Sequence, residues 1–551
     1  MKLAEITEEL AISSGFKAEP EWLREFRAQA FKEFSSLPVE RSGLYAKYAD
    51  LLTAVDFSGL KSKTEREAPA EAVLDASVSA KIVQNDSGAI RIAPSKELVE
   101  RNVILLPIEE AFAKHDSLLK DYAAGIIPPL GKDKLAYLNR AIFNGGFFLH
   151  VPKNVSIEKP IRQVFTSDSD RFSLFSRSIV VLEESASISI LAEDYTHSDA
   201  DEPSIYSSLV EVYLKDNANL AFSNIQAHAS NVVSLANRQV RCGRDSRVKW
   251  AGGYTGGSIT RSRTETLLEG RGSFARDYEF VYGDGNSRSD ITTDMIHIGE
   301  STDGETESRG VLRDKARSTL KGVIKIENVA RNAHSFVGNH AILLSKEARA
   351  DTVPALEIVT NEVTAKHSAS VAQLDENQIF YLMTRGLTLK EAVWGIITGF
   401  LDPVTSQIPL EDTKEAFMKL IAERYQKARE VSAPLVTIIP QESRGRLFQL
   451  GRIADFADDA TKGIEVEGKK ILISKIGGKF HAVGGICSHE YAELDRGFFK
   501  DDVVTCPLHL SQFDLKSGVA LNPPAVDALP VYKVHTLDQK IYVELESSGY
   551  T

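Results

Sequence analysis

Residues 178–183 read SIVVLE, 187–193 SISILAE, 207–214 SSLVEVYL and 319–327 TLKGVIKIE. Each is a short run of β-branched and apolar residues bounded by Gly, Asn, Asp or Ser, the pattern of a strand between turns. Such runs, beginning with FFLHV at 147–151, fill residues 146 to 365 with almost no helical periodicity. So many strands without intervening helices point to a sandwich, a barrel or a β-solenoid, and spacing alone does not choose among them. No strict repeat is legible.

Helical texture flanks this block. On the N-terminal side Trp22, Phe26, Ala30 and Phe34 recur every four residues after Pro20, an apolar stripe that reads as core packing and ends at Pro38. Residues 61–72, KSKTEREAPAEA, read as a solvated linker or loop, and a second helical region is expected over about 105–145. On the C-terminal side Ala392, Ile396 and Phe400, then Phe417, Leu420, Ile421 and Tyr425, restore three-to-four spacing, with Pro403 and Pro409 expected to split the stretch. SAPLVTIIPQESRG, residues 432–445, reads as a linker into a second β-rich block at 446–545.

At 551 residues the chain exceeds one ordinary hydrophobic core, so two or more domains are expected. Apolar residues make up 43% and charged residues 26%, which is globular composition, and no apolar run is long enough to span a bilayer. The opening MKLAEITEEL is acidic where a signal peptide is basic and apolar, so a cytoplasmic location is expected. A formal charge of -12, with no basic cluster, argues against nucleic-acid and anionic-membrane binding. The three cysteines, Cys242, Cys487 and Cys506, are too few for a disulfide framework.

Two of those cysteines carry the chemistry. Cys487-Ser488-His489 is followed, after sixteen intervening residues, by Cys506-Pro507-Leu508-His509. Two soft thiolates suit one iron of a sulfide-bridged pair and two imidazoles suit the other, the ligand division of a Rieske [2Fe-2S] centre. A zinc site with the same four side chains is the competing reading. Structural zinc favours Cys-Cys and His-His pairings at short spacing, whereas here each short motif mixes one Cys with one His. The surroundings also resemble Rieske ferredoxins: Gly484-Gly485, Gln512-Phe513-Asp514, Ser517-Gly518, and Pro523-Pro524 in a candidate cluster-covering loop. Neutral imidazole ligands imply a higher potential than four thiolates would give.

The sequence departs from that resemblance at two points. Leu510 stands where Rieske proteins carry Gly, which lets a backbone N–H approach a cluster sulfur. Ala492 and Leu508 stand where respiratory members carry a cross-linking cysteine pair, so the likeness is to the soluble ferredoxin type. Ser511 is a candidate hydrogen-bond donor to a sulfide, with a plain surface serine as the alternative.

Most of residues 15 to 430 resembles the SufB/SufD family of iron–sulfur cluster assembly proteins. The segments that carry the likeness are EPEWLREFRAQAFKEFSSLP, NGGFFLHVPKNVSIEKPI, RGVLRDKARSTLKGVIKIENVA, NHAILLSKEARADTVPALEI and HSASVAQLDENQIFYLMTRGL. The resemblance implies a mainly β chain with a right-handed parallel β-helix core between helical regions. The expected parts are a largely helical region at 1–145, the β-helix at 146–388, C-terminal helices at 389–431, the linker at 432–445, and a separate small antiparallel β Rieske domain at 446–551. It also implies a SufB-like scaffold partner and a SufC-like ABC ATPase docking through the C-terminal helices. The chain has no Walker A pattern, so ATP hydrolysis is expected in that partner, with no independent catalytic activity here.

Within the family the likeness is to SufD. The cysteine that SufB carries upstream of a T-x-P motif is Ala348 here, and the Glu after its His is Ser368. The SufD histidine at the assembly interface corresponds to His367, while the Cys common two residues earlier is Ala365. Cys242, between arginines in RQVRCGRDSRVKW, reads as inert packing, the alternative being a thiolate activated by those arginines. Spacing compels no metal at His297, His334 or His340.

Three functions compete. The first is a SufD-like assembly subunit whose tethered Rieske domain carries electrons from a reductase or ferredoxin. The second is a Rieske oxidoreductase component, either a ferredoxin for another enzyme or an oxygenase. A mononuclear iron site needs two His and a carboxylate, and Asp294 with His297 supplies only half of the usual motif, since 302 and 303 are Thr and Asp. The third is a sensing or structural cluster.

Overall fold

Each strand of the long β block pairs in parallel with the strand after next. Strands of ten or eleven residues, from Ser173–Leu182 to Val363–Gln373, fall alternately into a nine-stranded and a ten-stranded sheet. In the ten-stranded sheet Gly252, Glu279, Ser308, Asn339 and Ala369 stand side by side on successive strands. That connectivity is a parallel β-helix of about eight turns, which resolves the choice among sandwich, barrel and solenoid. The computed structural model describes Ile6, Phe16 and residues 19–38, 69–123, 125–126, 133–198, 200–427, 445–458, 460–537 and 539–546. The expected linkers at 61–72 and 432–445 lie outside these residues except for 69–72 and Gly445.

One corner of the solenoid is built the same way in coil after coil. Asn154, Ser185, Asn217, Asp245, Gly272, Ser301 and Asn332 all take left-handed φ values. Each backbone N–H then donates to a carbonyl one coil further on, as from Asn217 to Arg244 at 2.7 Å and from Ser301 to Arg331 at 2.8 Å. The residue after it is small or β-branched, and in six of the seven it is fully buried: Ala186, Ala218, Ser246, Ser273, Thr302 and Ala333, with Val155 after Asn154 half-buried. A larger side chain at that point would be driven into the coil interior. Asn, Asp and Gly tolerate the left-handed region best and fill five of the seven corners, with serine at 185 and 301.

Side chains alternate across each strand, and the inward ones make the core. Val180, Ile190, Val212, Leu220, Trp250 and Ile324 are among its fully or nearly fully buried members. On the N-terminal side the helix Glu21–Ser36 buries Leu23, Ala30, Phe31 and Phe34 in one cluster with Leu135, Leu138 and Ile142 of the helix Lys134–Ile142. The expected stripe is thus core packing, with Trp22 and Phe26 at its margin. Arg27 lies buried in the same layer, paired with Glu19 at 2.8 Å and donating to the carbonyls of Ala141 and Phe143.

The N-terminal region is less helical than its periodicity implies. Besides helices at Ile108–Lys114, Asp116–Ala123 and Lys134–Ile142, it contributes strands Ala80–Gln84, Ile90–Pro94 and Ile104–Pro107, which extend the two sheets. These strands are four or five residues long, too short for alternation to stand out.

On the other flank, helices Glu376–Thr384, Leu389–Thr405 and Glu411–Lys427 follow the last coil. Val393, Ile397, Leu401, Phe417 and Ile421 share a cluster with Phe280, Tyr282 and Val311 of the solenoid. Arg309 donates to the carbonyl of Phe400 at 2.6 Å and Arg313 to that of Tyr425 at 3.0 Å, fastening both long helices. Thr388 and Glu391 form a capping box at the start of Leu389–Thr405. Pro403 does not split this stretch as expected: it lies inside the helix, which ends at Thr405. Near the C-terminal end the missing N–H leaves only one carbonyl of the last turns without its helical donor, so the helix tolerates it.

The second unit, Ala433–Thr551, is antiparallel throughout its described residues. Strands Gly445–Arg452, Val534–Leu537 and Lys540–Glu546 form one sheet, and Ala460–Val466, Lys469–Ile476, Lys479–Gly484 and Val531–Tyr532 another. A third sheet of three short strands, Phe498–Lys500, Val503–Thr505 and Gln512–Asp514, leads into the cysteine loops. Among the described residues of the whole chain, no helix is long and apolar enough to cross a membrane.

The corner geometry makes a direct prediction. Asn217→Val, which forces a β-branched residue into the left-handed region, lowers stability in a denaturant titration by about 1–2 kcal/mol, whereas Asn217→Gly leaves it nearly unchanged.

Candidate functional site

Two loops of like construction bring the four predicted ligands together. Cys487 N–H donates to Ala492 O at 2.9 Å, and Cys506 N–H to Ser511 O at 2.8 Å, so each loop opens on a cysteine and closes five residues later. Cys487 and Cys506 are buried, in one cluster with Leu472, Val483, Leu494, Val504 and Phe513. His489 and His509 lie at the surface, their rings 4.9 Å apart and nearly perpendicular. The result is an inner thiol pair beneath an outer imidazole pair.

A third loop ties the two together. Ser488 Oγ donates to Asp527 O at 2.6 Å, and Ala525 N–H donates to Ser511 Oγ at 3.0 Å. Asn522 accepts from Gln512 N–H at 2.5 Å and donates to Leu510 O at 3.3 Å. Pro523 and Pro524 lie within this loop, as the sequence led us to expect. Gly518, at φ +74, packs so closely on Leu529 that a Cβ there would stand 2.4 Å from its carbonyl oxygen, so this turn admits only glycine.

The donor set fits a two-iron, two-sulfide cluster. Burial raises the Cys487 thiol, while the N–H groups of His489 and Glu490, aimed at its sulfur, act the other way and favour the thiolate a metal needs. Among the described residues no three His, Cys, Asp or Glu side chains gather about one point. A two-iron cluster divides its ligands into a thiol pair and an imidazole pair, the division seen here. The Ser511 hydroxyl is fully buried and accepts from Ala525, leaving its own hydrogen free to donate.

Leu510 resolves one departure noted in the sequence. It takes φ +61, the left-handed conformation that glycine serves elsewhere, so the loop keeps its shape around a leucine. Its N–H turns back to Cys506 O at 3.2 Å, and its side chain is exposed, as is that of Leu508.

The other candidates belong to the first unit. His367 lies exposed on Val363–Gln373, the last strand of the ten-stranded sheet, opposite Val337. His340 Nδ1 meets Ser370 Oγ at 2.8 Å. His297 is buried between Thr302 and Ser335, at 2.8 and 3.0 Å, and burial pushes its pKa down to about 4, the mark of a satisfied core histidine. Asp294 and His297, three apart on one strand, point to opposite sheet faces, so they make no iron site together. Cys242 sits in the solenoid core, where burial pushes its thiol up to about 12 against a hydrogen bond from Ser246. The flanking arginines therefore do not activate it.

Residues 165–400 match the family model described as SUF system FeS cluster assembly, SufBD core domain, and residues 16–163 match SufBD protein N-terminal region. Residues 447–533 match the Rieske [2Fe-2S] domain. The iron-sulfur cluster assembly protein SufD of Bacillus subtilis (strain 168) is 32% identical over 419 residues, covering 74% of this chain and 94% of that protein. An iron-sulfur cluster assembly SufBD family protein of Staphylococcus haemolyticus is 28% identical, covering 72% and 88%. Among solved structures, the ferredoxin of carbazole 1,9a-dioxygenase from Nocardioides aromaticivorans IC177 is 25% identical, covering 18% of this chain and 95% of its own, with a TM-score of 0.17. A Sphingomonas yanoikuyae B1 ferredoxin is 21% identical, covering 18% and 99%, with a TM-score of 0.18.

Two measurements check these placements. Cys242 stays unreactive toward a thiol reagent at pH 8 in the native chain and reacts once denaturant opens the solenoid, as peptide mapping will show. Leu510→Gly relieves the left-handed leucine and raises the unfolding free energy of the C-terminal unit by up to about 1 kcal/mol, read by thermal unfolding of the metal-loaded chain.

Proposed function

This chain belongs to the SufBD family of iron–sulfur cluster assembly proteins, its SufD-type sequence joined to a Rieske [2Fe-2S] domain, and from that premise we propose that it is a scaffold subunit with its own electron carrier. In this reading Cys487 and Cys506 hold the inner iron, and His489 and His509 the outer one. When bound, the cluster supplies one-electron transfer at a potential above that of four-cysteine clusters.

The surrounding residues serve that role. N–H groups of His489 and Glu490 directed at Cys487 sulfur, and the Ser511 hydroxyl, draw electron density from the ligand sphere and favour the reduced state. The apolar cluster around the two thiols keeps water from them. The exposed imidazoles form the face through which electrons enter from a reductase or ferredoxin and leave.

The solenoid supplies the assembly surface. Its last two strands, Arg349–Ile358 and Val363–Gln373, each end a sheet, and Ile358, Val359 and Val371 stand exposed there. Free ten-residue edges are a hazard for a chain on its own, which supports a SufB-like subunit covering them, with His367 at the interface. The C-terminal helices are the docking place for a SufC-like ABC ATPase, which supplies the ATP hydrolysis. None of the three cysteines is in a disulfide, which agrees with the reducing cytoplasm in which we place the protein.

The observation that carries the proposal is the presence, in one chain, of a SufD-type β-helix and a two-thiol, two-imidazole loop pair. Tethering holds a redox unit at an effective concentration of about a millimolar, on the order of a hundredfold or more above a free carrier at micromolar levels. In a reconstituted assembly reaction with SufB- and SufC-type partners and a reductase, Cys487→Ser therefore slows cluster formation severalfold at least. Equal rates for variant and wild type would reject the electron-carrying role and leave a scaffold with a sensing or structural cluster.

A further inference from the structure

Inside the solenoid one row of polar side chains runs along the axis, from a carboxylate held by an arginine to side chains whose polar atoms have no partner among the described residues. Arg238, on the nine-stranded sheet, donates to Glu279 Oε1, on the ten-stranded sheet, at 2.6 Å, so Glu279 points into the space between the sheets. Ser308 and Asn339 stand in register with Glu279 on the next two strands of its sheet and share that direction. All three are 0% exposed. Glu279 also meets Tyr254 and the buried Asp277 through its side chain, yet Ser308 Oγ and both the Oδ1 and Nδ2 atoms of Asn339 have no hydrogen-bond partner among the described residues.

Buried polar atoms in native proteins are almost always satisfied, by protein or by ordered water, because leaving them bare forfeits their solvation. Bare atoms on two successive coils, next to a buried carboxylate on the coil before, point to one common partner. The spacing fits water: neighbouring strands lie about 4.8 Å apart. Two hydrogen bonds of about 2.8 Å meeting at one oxygen span about 4.6 Å. Small residues bound the row. Glu279 Oε2 leans over Gly252, 1.7 Å from where a Cβ would stand, and beyond Asn339 the row ends on Ala369 of the exposed last strand.

We propose that Glu279, Ser308 and Asn339 line a water-binding vein in the solenoid interior, with single water molecules bridging successive coils and exchanging with solvent at the last coil beside Ala369. His367 lies two residues from Ala369 on the same face of that strand, so the vein hydrates the inner side of the terminal coil. Water is the class of ligand the row selects, because the row offers a carboxylate acceptor, a hydroxyl and an amide, and only a small molecule that both donates and accepts serves all three.

The test is Ser308→Ala in the full chain, followed by thermal unfolding. If water bridges Ser308, losing the hydroxyl strips a partner from the bridge and Tm falls by a few degrees. If Ser308 is dry, the change deletes a bare buried hydroxyl, and Tm stays level or rises, which overturns the proposal. A crystal structure of the unaltered chain at a resolution that reveals ordered solvent gives an independent reading. Waters within hydrogen-bond distance of Glu279 Oε2, Ser308 Oγ and Asn339 are expected, and a row without them overturns the vein regardless of the variant.

Discussion

The solenoid depends on its repeated corner, where a left-handed residue hands its N–H to the next coil. Parallel strands gain evenly spaced hydrogen bonds only if each coil returns in register, and a slip by one residue would turn every inward side chain outward. The corner fixes that register locally. The Asp216-Asn217-Ala218 and Arg244-Asp245-Ser246 corners show how: a charged residue in solvent, a left-handed residue bonding forward, and a small residue entering the core. Once these stack, the sheets and the interior follow.

Charges buried beneath the N-terminal layer tie that layer to the solenoid. Glu211, on strand Ser204–Leu214, receives Arg140 from the helix Lys134–Ile142 at 2.6 Å and Arg177 from the neighbouring strand at 2.7 Å. Asp133, at the N-cap of that helix, pairs with Arg261 of the solenoid, and the two arginines near it, Arg261 and Arg263, hold its carboxyl well below the usual range despite burial. Pairs this deep gain little net energy once desolvation is counted, but removing one partner strands the other in an apolar layer. They therefore fix where the layer sits more than how strongly it is held.

The mixed Cys/His spacing was legible because cluster chemistry restricts residue type and separation, and the structure gathers those residues into two thiols below two imidazoles. The strand runs were legible as strands, but their arrangement was not, since the coil repeat varies from Gly252–Glu279 to Ser308–Asn339 and the corner triplets share a pattern of size rather than letters. The repeat is carried by triplets such as Glu184-Ser185-Ala186, Glu300-Ser301-Thr302 and Arg331-Asn332-Ala333. The N-terminal strands are too short for their alternation to stand out, and the polar row through Glu279, Ser308 and Asn339 exists only once the coils stack. Leu510 misled in the other direction: the loop keeps a glycine-like conformation without the glycine.

The proposed function requires one cluster held by two kinds of ligand. Its most direct test is iron and acid-labile sulfide analysis of the purified full chain, joined to pulsed EPR of the reduced protein. Two irons and two sulfides per chain, with nitrogen couplings from two imidazoles that change when His489 is replaced, are the predicted result. One zinc per chain and no paramagnetic signal would contradict it.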